Sequence, residues 1–179
     1  MLETSVLKQG KASQEEAIAL FDCLDPVDLE WMFGCWKGAE FSTRHPMDGF
    51  LEPLGWYGKE FVNPECVHPL LFSSGKNDTF KVAADPQVLS LVIRLLPILK
   101  NTNKRILEML RWTLFTQKTE SSQARLRMVE YRGKLSATMI YDRLPICDVF
   151  RKVDDRTVLG WMDLKEWPPF FFTLTKDMV

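Results

Sequence analysis

From Ala124 to the C-terminal end, apolar residues fall on alternate positions. ARLRMVEYR, KLSATMIYD, LPICDVFRKVD, RTVLGWMDL and FFFTLTK each read as a strand with one apolar and one polar face. The links between them are short: Arg132-Gly133, Asp142-Arg143, Asp154-Asp155 and Glu166-Trp167-Pro168-Pro169. Five strands joined in this way predict an antiparallel meander over 119–179. The N-terminal part follows a different period. Ala17, Ile18, Leu20, Phe21 and Leu24 recur at helical spacing between Ala12 and Leu24, with Ser13 as N-cap and Glu15 and Glu16 in the first turn. Asp25-Pro26 ends that helix, and a short turn is expected from Leu29 to Phe33.

Between these regions the pattern predicts a first strand over about 35–43 and further strands at 59–62, 69–73 and 79–83. A helical turn is expected around Asp48–Leu54. Gly75-Lys76-Asn77-Asp78 has the residues of a hairpin turn. The strand count of 8–10 suits a small closed barrel, and closure leaves no free sheet edge. The fold class is therefore mainly β, a closed antiparallel β-barrel. Residues 12–33 are expected to form a helical cap at its closed end, and 34–84 its first half. A helical insert over 85–118 starts at Asp85-Pro86 and separates the halves. Its run VLSLVIRLLPILK is shorter than the ~20 residues of a membrane span. Pro97 should kink it, and an amphipathic piece follows over Lys104–Phe115. This insert fits a helix packed on the barrel, a lid over its mouth, or a contact with a membrane surface through 86–115.

The segment Gly34-Cys35-Trp36-Lys37-Gly38 opens the first strand. Glycine permits close backbone approach, and the Trp is large enough to plug one end of a small barrel if its indole N–H finds a partner. This motif, followed by HPMDGFLEPLGWYGKEF and VHPLLF, resembles the family named for its Gly-x-Trp-x-Gly motif. The block ARLRMVEYRGKLSATMIYDRLPICDVFRKVDDRTVLGWMD with the closing FFFTL is similar to the C-terminal domain of unknown function found in that family. The resemblance implies a lipocalin-like barrel, akin to fatty-acid-binding proteins and the nitrobindin group, with an interior site for an apolar small molecule. Nitrobindin-like barrels hold haem through a His near the C-terminus. This chain has no His after His68, so no haem, and no other cofactor, is expected.

Composition changes this picture little. A chain of 179 residues with 46% hydrophobic and 12% aromatic side chains suits one globular domain. The opening MLETSVLKQGKASQEEA lacks a signal pattern, and four scattered cysteines form no C-x-x-C pair, so a reducing cytoplasm with free thiols is expected. The net charge of −1 conceals a split. Residues 1–70 hold 5 basic and 12 acidic side chains, whereas 94–134 hold 10 basic and 3 acidic. These fit solvated faces that attract one another, or a basic rim for an anion or acidic membrane. No nucleic-acid motif is present. The sequence leaves the oligomeric state open.

Candidate chemistry is sparse. His45 stands three residues before Asp48 in a mouth loop, where the two could serve as base and orienter. His68 fits a structural role better, and the two histidines have no metal-ligand spacing. Tyr57 and Lys59 bring a phenol and an amine close in sequence, and Lys59 could form a Schiff base. Alternation places Ile146, Asp148, Phe150 and Lys152 on one strand face and Cys147, Val149 and Arg151 on the other. If Asp148 and Lys152 point inward, they are buried charges that must pair or act. In the other register Arg151 points inward, where it could stack on Trp36 as a structural contact. Glu130 is a second candidate interior carboxylate. The ligand-contacting set is Trp56, Phe61, Glu130, Met139, Tyr141, Phe150 and Trp161, and the structural set is Gly34, Trp36, Gly38 and Arg151. There is no serine-nucleophile elbow, phosphate loop or dinucleotide fingerprint. The expected function is to enclose an apolar small molecule of fatty-acid, terpenoid or polyketide type. The alternative is a cofactor-independent isomerase or cyclase acting on such a molecule.

Overall fold

The structure, a computed structural model, describes residues 7, 9–75, 78–82, 85, 111 and 116–177. The expected helical insert falls almost wholly outside them. Ten strands follow in chain order: β1 Asp25–Pro26, β2 Gly34–Phe41, β3 Trp56–Asn63, β4 Cys66–Gly75, β5 Asp78–Lys81, β6 Ala124–Tyr131, β7 Lys134–Tyr141, β8 Ile146–Lys152, β9 Thr157–Leu164 and β10 Phe170–Lys176. Among the described residues, three helices accompany them: α1 Gln14–Cys23, α2 Leu29–Met32 and α3 Leu51–Leu54.

Eight strands close on themselves in the order β8-β7-β6-β4-β3-β2-β10-β9 and back to β8. Each neighbouring pair is antiparallel. The mainly β closed barrel is thus the observed architecture, with β1 added beside β8 and β5 beside β4. The C-terminal meander appears as the alternation predicts.

Alternation sorts the apolar side chains into two separate cores. The inner one gathers Trp36, Trp56, Phe61, Leu126, Met139, Tyr141, Phe150 and Phe172 with their neighbours. The outer one lies under α1, where Ala17, Leu20 and Phe21 pack on Phe41, Val149, Leu159, Trp161 and Phe171. The capping box at Ser13 and Glu16 fixes the start of α1 as the sequence implies. The helix itself lies against the outer wall rather than over a barrel end. Its apolar stripe matches the outward residues of β8, β9, β10 and β2, which would otherwise face water.

The closed end belongs to Trp36 and α2. The Trp36 indole N–H donates to Met32 O at 2.6 Å, and the Trp31 ring lies 5.2 Å from that of Trp36. The expected Trp plug is therefore present, with its one polar atom satisfied. At the other end, Met47, Phe50 and Leu54 from the loop after β2 and from α3 turn into the inner core, joined by Leu144 and Trp167.

Strand β3 departs from strict alternation. Trp56 and Gly58 pair with Phe72 and Leu71, so β3 carries one extra residue there. Gly58 has φ of +152°, and a Cβ on it would strike the carbonyl oxygen of Trp36. This bulge leaves Tyr57 facing outward while both Trp56 and Lys59 face inward.

Candidate functional site

Lys59 and Asp148 meet inside the barrel. Lys59 Nζ lies 2.8 Å from Asp148 Oδ2, and the side chains are 4% and 1% exposed. Lys59 stands opposite Trp36 on β2, and Asp148 stands between Met139 of β7 and Met162 of β9. The ammonium also donates to Pro69 O at 3.2 Å. That carbonyl is reached because β4 bulges between His68 and Leu71. Three aromatic rings surround the cation: Phe172 at 5.0 Å, and Trp56 and Tyr141 at 5.8 Å each.

The pair is incompletely satisfied. Asp148 Oδ1 and Trp56 Nε1 are both buried and have no hydrogen-bond partner among the described residues. Each such atom costs about 1–3 kcal/mol when left unmet. Burial pushes the Asp148 carboxyl above the usual carboxylate range, and the Lys59 charge and hydrogen bond oppose that shift. Burial also raises the Tyr141 phenol, with the Asp148 charge adding to it. The site thus offers an ammonium, a carboxylate oxygen and an indole N–H within apolar walls.

The second glycine of the Gly-x-Trp-x-Gly motif helps to build this site. A Cβ on Gly38 would run into the six-membered ring of Trp56. The missing side chain lets that ring lie against β2 and stand edge-on to Phe172, with centroids 5.9 Å apart. Phe61, Met139 and Phe150 line the same interior, as expected from their alternation.

Several expected site residues stand elsewhere. Tyr57 points away from Lys59, and its hydroxyl donates to Asp177 Oδ2 at 2.7 Å. That hydrogen bond pushes the phenol up to about 12 and holds the hydroxyl outside the wall, whereas Lys59 lies inside it. His45 and Asp48 share a loop, but the carboxylate does not orient the ring. Asp48 Oδ2 accepts from Ser42 Oγ and from the backbone N–H groups of Thr43 and His45. The His45 ring accepts from Met47 N–H through Nδ1 at 3.1 Å, which leaves Nε2 to donate to Pro168 O at 3.1 Å. His45 thereby ties two mouth loops together. His68 lies on the outer side of β4, with Nε2 3.9 Å from Glu60 Oε2, and burial lowers its pKa.

Trp161 belongs to the outer core, 5.2 Å from the Phe21 ring, and does not line the interior. Glu130 is exposed at the end of β6 and is no interior carboxylate. Lys152 follows Phe150 on the inner face of β8 but emerges at the closed end, where it binds Asp155 and lies 5.6 Å from the Trp31 ring. Arg151 is buried outside the barrel, under α1. Its guanidinium lies 4.8 Å from the Phe21 ring and donates to Tyr131 O, with no part in holding Trp36. The Pro69 carbonyl and the Phe172 ring complete the site. The former depends on a bulge that residue types alone do not announce, whereas Phe172 was visible as one of three consecutive aromatics.

Outside the barrel, two ion pairs join the acidic and basic stretches among the described residues. Arg127 pairs with Glu65 and Arg132 with Asp22, each at 2.6 Å, so basic residues of the second half meet acidic residues of the first. No group of His, Cys, Asp and Glu suited to a metal ion occurs among the described residues. No helix among them is long and apolar enough to cross a membrane.

Comparison with known proteins supports this division of the chain. Residues 19–76 match the family model of the GXWXG protein, and residues 122–176 match a domain of unknown function (DUF4334). The crystal structure of a protein from Thermomonospora curvata is similar at 29% identity with a TM-score of 0.70, covering 98% of this chain and 95% of that one. No curated protein matches. The first matched segment contributes β2 to β4 of the barrel and the second β6 to β10, so Lys59 and Asp148 come from different segments. With both matches in order and its Gly34–Gly38 motif opening the barrel, this chain carries a GXWXG segment over residues 19–76 and a DUF4334 domain over 122–176.

Proposed function

We propose that the barrel encloses a largely apolar small molecule whose one polar group is met by Lys59 and Asp148. The observation that carries this reading is the half-satisfied ion pair in an otherwise apolar interior. A pair kept only for stability could be replaced by apolar residues of equal volume without loss. Unmet polar atoms beside it fit a ligand that supplies the missing partners. Fatty-acid, terpenoid and polyketide-like molecules all combine large apolar area with few polar groups. The four cysteines are unpaired, which supports a reducing cytoplasmic setting. Contact of residues 86–115 with a membrane lies outside the described residues.

Native mass spectrometry of the purified protein tests this reading. A retained apolar molecule is expected, and it should be lost from the Lys59→Met/Asp148→Leu variant. Absence of any retained or added apolar ligand at micromolar concentration would sink the proposal. A second reading, cofactor-free acid–base catalysis on the enclosed molecule, is favoured by one observation: Asp148 keeps an unbonded oxygen and a raised pKa beside a buried ammonium.

A further inference from the structure

Three of the interior's polar groups, set beside the Tyr141 hydroxyl, differ in kind, and their combination narrows the chemistry. Asp148 Oδ1 can only accept while it is ionised, and Trp56 Nε1 can only donate. Lys59 uses one N–H on Asp148 Oδ2 and another on Pro69 O, so a third donor remains. A molecule held here is offered two donors for an acceptor atom and one base for a hydrogen. A ketone with a hydrogen on the adjacent carbon has that pattern. Its carbonyl oxygen can accept two hydrogen bonds, and its α C–H becomes acidic when it does. Among the described residues, the inward-facing interior holds no second buried cation, because Arg151 lies outside the wall. Dianionic substrates such as phosphate esters therefore lack an anchor, whereas an uncharged apolar ketone does not need one.

We propose that Asp148, Lys59 and Trp56 form an enolisation site for apolar ketones; this rests on the reading that the barrel encloses an apolar molecule. Asp148 Oδ1 takes a proton from the α-carbon. The C–H bond breaks, its electron pair becomes the C=C bond of the enolate, and the carbonyl π pair moves onto oxygen. The Lys59 ammonium and the Trp56 indole N–H stabilise that oxygen as its charge develops. Asp148 then returns the proton to the same carbon or, in an unsaturated ketone, to the far end of the conjugated system, which shifts the double bond. Protons and electrons balance without an oxidant, reductant or water. The rings of Phe172, Trp56 and Tyr141 line the site around the enolate, and the proton held on Asp148 exchanges with water before its return, so the α-carbon takes up deuterium in deuterated water. Burial of Asp148 brings its basicity closer to what carbon-acid chemistry needs.

A single apolar scaffold tests the idea. 2-Acetonaphthone carries the α C–H and carbonyl, and 2-ethylnaphthalene lacks both. Binding is followed by fluorescence, and exchange of the acetyl methyl hydrogens in deuterated water by mass spectrometry. The expected result is binding of both compounds, with exchange of the ketone at least about 100-fold faster than in buffer. Exchange should fall to the buffer rate in Asp148→Asn and at least about ten-fold in Trp56→Phe, which removes the indole N–H together with the five-membered ring that carries it. The rate should rise with pH through a transition above the ordinary carboxylate range, since only ionised Asp148 accepts the proton. Binding of both compounds with exchange no faster than in a folded Trp56→Phe or Asp148→Asn protein overturns the enolisation site and leaves the enclosing barrel standing. Failure of either compound to bind overturns both. Should Asp148→Asn not fold, the Trp56→Phe comparison and the wild-type pH profile decide the matter alone.

Discussion

At the scale of single residues, the decisive contact is Lys59 with Asp148. Two buried charges stabilise one another only while both remain, because either alone is an uncompensated ion in an apolar interior. Lys59→Met or Asp148→Leu alone should each lower unfolding free energy by about 3–5 kcal/mol. The double variant should be as stable as the parent protein or more so. Urea denaturation of the four proteins gives the coupling directly, and an additive double variant would show that the two charges do not depend on each other. The sequence showed that Asp148 shares a face with Ile146 and Phe150, but left open whether that face turned inward. It also set Tyr57 beside Lys59, two positions apart, where strict alternation gives both one face. The bulge at Gly58 overrides that alternation and sends Tyr57 to Asp177. His45 and Asp48 are neighbours in a loop, as their spacing implies, yet backbone N–H groups compete for the carboxylate and win.

At the scale of elements, β3 and β2 make the site together. Gly58 permits the bulge that turns Lys59 inward, and Gly38 opens the space that the Trp56 ring fills. Gly58→Ala combines a positive φ with overlap on the Trp36 carbonyl and should cost about 3–5 kcal/mol. Gly49 also has a positive φ, +77°, but a Cβ there meets nothing within 4 Å. Gly49→Ala should cost about 1–2 kcal/mol from conformation alone. Thermal melts of the two variants check the ordering, and equal losses would mean that the close approach at Gly58 is not the reason for that glycine. The helix α1 was legible to within two residues from its cap and its spacing. Its partner was not. An apolar stripe on a helix fits any apolar surface, and only the outward aromatics Trp161 and Phe171 show that the surface is the outer wall.

At the scale of the whole molecule, the barrel is a ring of two matched segments joined at two seams. The β2–β10 seam runs over six paired residues from Phe41 to Trp36, whereas β4 and β6 share one paired position, Val67 with Ala124. Ser122 reinforces that short seam: its hydroxyl accepts from Val67 N–H at 3.1 Å and lies 2.9 Å from Ala124 O. Ser122→Ala should speed hydrogen exchange at the Val67 amide by about ten-fold while leaving β2 and β10 unchanged. Uniform acceleration around the ring would instead mean that the barrel opens only as a whole. The sequence by itself determined the strands of the meander, the N-terminal helix, the Trp36 plug and the barrel class, because each rests on a local period or on residues close in the chain. Only the tertiary structure decided the functional centre. Lys59 and Asp148 lie 89 positions apart on strands that are not neighbours in the ring. Their meeting depends on a bulge, on inward register and on closure of the wall, and these are set by packing across the whole barrel rather than by any short stretch of it.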